Sequence, residues 1–235
     1  MCQIYRPMTD YRPPTDFVLT RTGDGSNTLR SEQLDDHYHS LHGAVQESWH
    51  VYIANGLRAS DKKALNVLEV GLGTGLNMLL TWLQCIEGKC RVDYTALEPF
   101  PLPREVIKAL DHPGQLAVPT LEREFLKAMA HTGAEPFEGK GWFTFVQRAT
   151  RAQALLEENA FDVIYFDAFS PKKQPELWTE QVFMRMFEAL VPGGILTTYT
   201  AQGTVRRAME QVGFMVERLA GPPGKRHMLR GRKPM

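Results

Sequence analysis

Residues 66–77, Asn66-Val-Leu-Glu69-Val-Gly71-Leu-Gly73-Thr74-Gly75-Leu-Asn77, set the fold. The run begins as a short apolar strand rich in β-branched residues. It passes through three glycines at alternate positions and continues into apolar residues at helical spacing. Strand, glycine turn and helix in that order open a βαβ unit. Glycine suits such a turn because, without a Cβ, the backbone can take left-handed angles and approach a bound molecule closely.

Working outward, strands are expected at 66–70, 92–97, 142–146, 161–167 and 195–200. Helices are expected at 75–86, 104–110, 151–158, 179–190 and 202–212. Alternation of this kind gives a doubly wound α/β fold with a mostly parallel sheet. Past Gly213 the pattern changes, and 214–219 and 226–230 around Gly221-Pro-Pro-Gly224 read as an antiparallel hairpin closing the sheet. Before the sheet, 15–57 reads as a β-hairpin turning at Gly23-Asp24-Gly25, followed by a helix over 40–55. The expected organisation is an N-terminal extension, residues 1–60, packed on a catalytic domain, residues 61–235. The long connection from 113 to 141, with a helical stretch at 121–130, has no evident role.

With 235 residues, 43% of them hydrophobic and 23% charged, the chain can build one good-sized core. No window approaches the roughly 18 apolar residues of a membrane span, and residues 1–10 lack a signal-peptide pattern. A soluble cytoplasmic protein is expected. Cys2, Cys85 and Cys90 have no zinc-like spacing, so neither a metal nor a disulfide framework is expected. The net charge is zero, but the end of the chain is basic: Arg206, Arg207, Arg218, Lys225, Arg226, Arg230, Arg232 and Lys233 stand against Glu210 and Glu217. Taken alone, this reads as an ordinary solvated face or a basic tail rather than a binding site.

Spacing and charge at the turn narrow the ligand. A dinucleotide site uses GxGxxG with a pyrophosphate at the helix N-terminus. Here the pattern is GxGxG, preceded by Glu69. A carboxylate there suits the ammonium or sulfonium of S-adenosylmethionine better than a pyrophosphate. The expected fold is thus the class I S-adenosylmethionine methyltransferase variant. Glu98, ending the second strand, sits where a carboxylate meets ribose hydroxyls in either cofactor class. The glycines alone also admit a tight turn with no ligand, a reading that Glu69 and Glu98 disfavour.

The segment Phe161-Asp-Val-Ile-Tyr-Phe-Asp167-Ala-Phe169-Ser-Pro-Lys172-Lys173 puts Asp167 at the carboxyl edge of the sheet, beside the cofactor crevice. Asp162 and Asp167 can also serve simply as turn caps, the more natural reading for Asp162. Phe169, Pro171 and Trp178 read either as walls for a flat base or as core. Lys172 and Lys173 read as phosphate contacts or as solvated loop.

Several linked segments add a resemblance. Asp167-Ala-Phe-Ser-Pro-Lys-Lys-Gln-Pro-Glu-Leu-Trp178, the run 190–214, Gly221-Pro-Pro-Gly-Lys-Arg-His227, Gly71-Leu-Gly-Thr-Gly-Leu-Asn77, Leu97-Glu-Pro-Phe-Pro-Leu102 and the run 35–57 together resemble the tRNA 5-methylaminomethyl-2-thiouridine methyltransferases, the family of the methyltransferase half of MnmC and of stand-alone MnmD. The resemblance implies Glu69, Gly71, Gly73, Thr74, Gly75 and Asn77 on the methionine and ribose of the cofactor, and Glu98 and Phe100 on ribose and adenine. It implies Asp167 and Phe169 near the sulfonium and the incoming amine, with Asp167 catalytic, and Tyr38 and the segment 43–47, Glu47 included, closing the site. Lys172, Arg206, Arg207, Lys225 and Arg226 become candidate tRNA contacts. The family's Gly-Asp after the third strand is replaced here near Gln147, Arg148 and Ala149, which departs from the usual adenine wall. A flavin domain does not fit in 235 residues, so a separate flavin-dependent oxidase is the expected pathway partner.

The activity implied is methyl transfer to the 5-aminomethyl group of a wobble 2-thiouridine. Its rivals are a spermidine-synthase-like aminopropyltransferase, disfavoured by the basic C-terminal segment; a nicotinamide-dependent oxidoreductase, disfavoured by Glu69 and the glycine spacing; and a non-catalytic tRNA-binding module.

Overall fold

The first strand of the main sheet, β4 (Ala64–Val70), alternates exposed and buried side chains at its start and is buried throughout from Val67 on, as expected of a strand entering the middle of a sheet covered on both faces. The computed structural model describes residues 15–132 and 135–235. Cys2 and the start of the 1–60 extension lie outside them. Three short strands precede β4: β1 (Phe17–Arg21), β2 (Asn27–Ser31) and β3 (Asp36–His37) form a separate antiparallel sheet. The main chain of elements then runs α2 (Leu76–Ile86), β5 (Arg91–Leu97), α3 (Arg104–Leu110), α4 (His112–Gln115), α5 (Glu122–Met129), β6 (Phe137–Gly139), β7 (Phe143–Arg148), β8 (Phe161–Phe166), α6 (Glu180–Ala189), β9 (Leu190–Thr198), α7 (Gly203–Gln211), β10 (Met215–Ala220) and β11 (His227–Arg232).

The eight-stranded sheet has the order β10-β11-β9-β8-β4-β5-β7-β6. Its centre is parallel, and antiparallel pairs close both edges. From β4 the chain moves outward through β5 and β7, then crosses back to β8 and β9. The order reverses between β4 and β8, and a crevice opens at the carboxyl ends of those two strands. All six residues of β8 are buried, so Asp167 is delivered to that crevice from a fixed strand.

The fold and its C-terminal hairpin match the sequence expectation, with three differences. The crossover helix expected at 151–158 is a single 3-10 turn, Ala152–Ala154. Ala152 and Leu155 are buried while Leu156 is 77% exposed, so the segment offers two anchoring residues and no continuous apolar stripe. The helix expected over 40–55 begins later, as α1 (Ala44–Ser48), and runs into a π-helical turn, Trp49–Ala54. Its N-terminus is capped by the β1–β2 turn: Asp24 Oδ2 accepts from Gln46 N at 2.9 Å, and Ser26 Oγ accepts from Ala44 N at 3.2 Å and Val45 N at 3.3 Å. Finally, the 113–141 connection has a packing role. α5 lies against the glycine turn so closely that a Cβ on Gly75 would collide with Met129 Sδ.

Asp24 also accepts from Ser26 N at 3.0 Å, so one carboxylate ties the hairpin turn to the helix. Asp24→Ala is expected to cost on the order of 1–2 kcal/mol in denaturant unfolding, as loss of a helix cap does.

Candidate active site

Gly71, at φ +88°, follows β4, and a Cβ there would lie 2.6 Å from the carbonyl oxygen of Asp167. Asp167 N donates to Val70 O at 3.0 Å, and Gly71 N donates to Leu97 O at 3.0 Å. The carboxyl ends of β4, β5 and β8 are thereby drawn together, and only glycine fits at the join. Beside it a cavity of about 1000 Å³ opens, with walls from the glycine turn, Glu98 and Phe100, the Asp167–Ser170 loop, Tyr199, Lys225 and the N-terminal sheet.

Residues proposed from the sequence divide into two layers. Gly71, Gly73, Glu98, Phe100, Asp167, Phe169, Tyr38, Glu47 and Lys225 line the cavity. Glu69, Thr74, Gly75 and Asn77 stand outside the lining. Glu69 is fully buried: Asn77 Nδ2 donates to its Oε1 at 2.8 Å and Tyr94 OH to its Oε2 at 2.8 Å. Direct contact of Glu69 with a ligand is therefore replaced by a relay, because Asn77 Nδ2 also donates to Asp167 Oδ2 at 2.7 Å. A single amide group pins both carboxylates. Gly75 is the left-handed N-cap of α2 and answers to α5, while Thr74 Oγ1 lies 3.4 Å from His39 Nε2.

Burial pushes the carboxyls of Glu69 and Glu98 up, Glu69 well above the usual carboxylate range. Asp167 is raised to about 6, chiefly by burial and by Glu47, while Tyr52, Asn77 and Lys225 pull it down. Buried carboxylates clustered in this way favour a cationic ligand. Glu98 Oε2 accepts from Gly73 N at 3.1 Å and Oε1 from Phe100 N at 2.9 Å, which fixes the carboxylate and leaves lone pairs for hydroxyls. Arg151 lies over the Phe100 ring, 5.5 Å from its centroid. Residues 150–153 line the cavity with Phe100, just past positions 147–149 where the sequence departs from the family's Gly-Asp.

At the opposite end, the Phe169 ring meets Tyr38 edge-on at 4.9 Å, and Trp178 Nε1 donates to Phe169 O at 2.8 Å. Tyr199 OH donates to Ala168 O at 2.9 Å. Lys225, expected among the phosphate contacts, instead reaches into the cavity. Its Nζ is paired with Glu47 Oε1 and sits 4.0 Å from the centroid of the Tyr199 ring. Lys172, Arg206, Arg207 and Arg226 are exposed, with Arg206 3.7 Å from Glu210. Asp162 is a structural cap, accepting from Asn66 N at 2.7 Å and from Lys62 Nζ at 2.5 Å. Among the described residues no group of three or more His, Cys, Asp or Glu side chains is placed to hold a metal, and no helix is long and apolar enough to cross a membrane.

Residues 137–234 match the model of a family described as S-adenosyl-L-methionine-dependent methyltransferase. The chain is 33% identical over 213 residues to the tRNA 5-methylaminomethyl-2-thiouridine biosynthesis bifunctional protein MnmC of Ralstonia nicotianae, covering 84% of this chain and 32% of that one. It is 30% identical over 232 residues to the protein of that name from Actinobacillus pleuropneumoniae, covering 90% and 34%. The chain is homologous to one region of the MnmC proteins. It spans about a third of the length of these curated relatives. The solved structure of MnmC2 from Aquifex aeolicus, 25% identical, superposes with a TM-score of 0.70 and covers 98% of this chain and 75% of that one. A spermidine synthase from Thermotoga maritima, 15% identical with a TM-score of 0.50, shares the fold.

Sequence reasoning missed Tyr52, Tyr199 and Arg151. Tyr199 follows β9 just as Asp167 follows β8, so the same carboxyl-edge rule applied one strand over finds it. Arg151 was hidden by the helix expected there, and Tyr52 by its place on a buried helical face.

Because the folded Asp167 carboxyl lies near 6 and its ordinary value is 3.8, the folded state takes up a proton that the unfolded state does not between those limits. Stability therefore falls as pH rises through this window, and the penalty is complete above it. Asp167→Asn is expected to be more stable than the parent at pH 8 by about 3 kcal/mol, a difference that shrinks toward nothing as the pH falls below the unfolded value of 3.8 in thermal unfolding across a pH series.

Proposed function

We propose that this chain transfers a methyl group from S-adenosyl-L-methionine to the 5-aminomethyl nitrogen of a tRNA wobble 2-thiouridine, giving the 5-methylaminomethyl form. The observation that carries the reading is the Asp167 carboxylate, held at the strand switch point by Asn77 and opening onto a cavity with an acidic, glycine-lined end and an aromatic end. The names of the MnmC relatives supply the substrate class.

The donor set fits the cofactor. The cavity-lining Glu98 and Asp167 suit its ribose hydroxyls and its cationic end, and Phe100 with Arg151 offers a flat wall for adenine. When bound, the cofactor supplies an electrophilic methyl on a positively charged sulfur. Glu98 is held ready by two backbone N–H groups, and Glu69 acts through Asn77, keeping that amide turned toward Asp167. Phe169 and Tyr38 wall the space for the flipped-out base. Asp167 orients the amine and accepts its proton; with its carboxyl raised to about 6 it is a better acceptor than an ordinary aspartate. Most of the acceleration is assigned to alignment of two bound reactants.

In this reading residues 61–235 hold the cofactor and the 1–60 extension completes the acceptor end. The exposed cations Lys172, Arg206, Arg207 and Arg226 contact tRNA phosphates, a cytoplasmic setting follows from the substrate, and a separate flavin-dependent oxidase acts earlier in the pathway. Lys172 and Arg226 adjoin the cavity-lining Ser170 and Lys225.

Mass spectrometry of nucleosides from tRNA lacking the modification, after incubation with protein and cofactor, is expected to show 14 mass units added to the aminomethyl uridine, about one methylene. Asp167→Ala is expected to lose at least about 100-fold in rate, the scale of a proton-transfer group, while still binding cofactor. An unmodified nucleoside pool, or methylation at another position, overturns the assignment. The paired substitution Lys172→Ala and Arg226→Ala is expected to weaken tRNA binding and to flatten the plot of log affinity against log salt by about 0.7–0.9 per lost phosphate contact. An unchanged slope in filter binding removes them from the interface.

A further inference from the structure

The proposed reaction needs a neutral amine, because only a nitrogen lone pair can form the new N–C bond as the methyl–sulfur bond breaks and its electron pair leaves on sulfur. An alkylamine near 10.4, the lysine reference, is almost wholly protonated at neutral pH. A cavity rich in carboxylates would hold it as an ammonium. Asp36, Glu47 and Asp167 all line the acceptor end, from β3, α1 and the loop after β8.

One spot in that end is built for an ammonium. It combines the Glu47 carboxylate, 6% exposed and fixed at Oε2 by Ser40 N at 2.6 Å, with the face of the Tyr199 ring. Lys225 fills it, paired to Glu47 and 4.0 Å from the ring centroid. A carboxylate and an aromatic face together are a strong ammonium receptor. Here the chain occupies its own receptor, so an incoming ammonium finds the best cation site taken and meets a like charge beside it.

Resting on the proposed function, we infer that Lys225 sets the protonation state of the acceptor: it excludes the ammonium form of the tRNA aminomethyl group and admits the neutral amine. Lys225 then acts on the amine through space rather than on a phosphate. The other groups that face it leave this role standing. Burial holds His39 neutral, near 4, and raises the hydroxyls of Tyr52 and Tyr199. The His42 ring packs at the Gly224 backbone of the Lys225 loop. Asp36, Glu98, Asp167 and Glu176 are the other acidic groups of the cavity lining, and burial raises Asp167 and Glu98 toward neutrality.

The test is calorimetric proton release on binding tRNA, without cofactor, in buffers of different ionisation enthalpy. The values for tRNA carrying 5-aminomethyl-2-thiouridine are compared with those for tRNA lacking the aminomethyl group. The parent protein at pH 8 is expected to release close to one extra proton with the aminomethyl tRNA. In Lys225→Met the pH of half-release rises by about one to two units, and Lys225→Arg restores it. Glu47→Gln, which removes the counter-charge and keeps the cation, moves it the opposite way. The pH–rate profile of methylation shifts in parallel. Equal proton release from the parent and Lys225→Met, or a shift in the same direction for Lys225→Met and Glu47→Gln, overturns the inference while methylation by the parent keeps the function. Absence of methylation by the parent overturns the function itself.

Discussion

The site depends on one close approach, that of the Gly71 backbone to the Asp167 carbonyl. Two parallel strands can place their carboxyl ends side by side only if the turn leaving one does not collide with the turn leaving the other. At this point a methyl group is already too much. Because β4 and β8 are adjacent through the reversal of strand order, the glycine turn and the acidic loop become walls of one crevice. Everything chemical follows from that adjacency. The Asn77 amide can bridge Glu69 and Asp167 only because the helix after the turn and the loop after β8 share this corner.

Much of this was legible in the chain, and the reason is local. Glu69-Val-Gly-Leu-Gly-Thr-Gly75 announces strand, turn and helix through side-chain period and missing Cβ atoms. Val163–Phe166 announces a buried strand through an unbroken apolar run. Such features depend on a few neighbouring residues. The layer to which each residue belongs does not. Glu69 and Gly71 are two positions apart, yet one is buried beneath the wall and the other forms it. Lys225 was one cation among eight in a basic segment, and only the return of β11 beside β9 brings its ammonium onto Tyr199 and Glu47. Glu47 lies 178 positions from Lys225 in sequence, and no periodicity reports such a distance.

The failed expectation at 151–158 has the same origin. Its composition favours a helix, but the segment that leaves β7 keeps only Ala152 and Leu155 in the core and returns Glu157 to Arg148. Tertiary anchoring overrides propensity there. Residues 150–153 come to stand by Phe100, where the family's usual adenine contact is absent.

The turn at Asp24 caps the helix that carries Glu47, and the N-terminal sheet supplies Tyr38 and Asp36 to the cavity. The two ends of the site are thus built by different means. In the proposed reading, strands buried in the large sheet make the donor end, and a small add-on, anchored in the core by Leu29 and tied to α1 by side-chain caps, makes much of the acceptor end. Such a division lets the choice of acceptor drift through changes in a short surface module while the sheet, and with it the grip on the methyl donor, stays as it is.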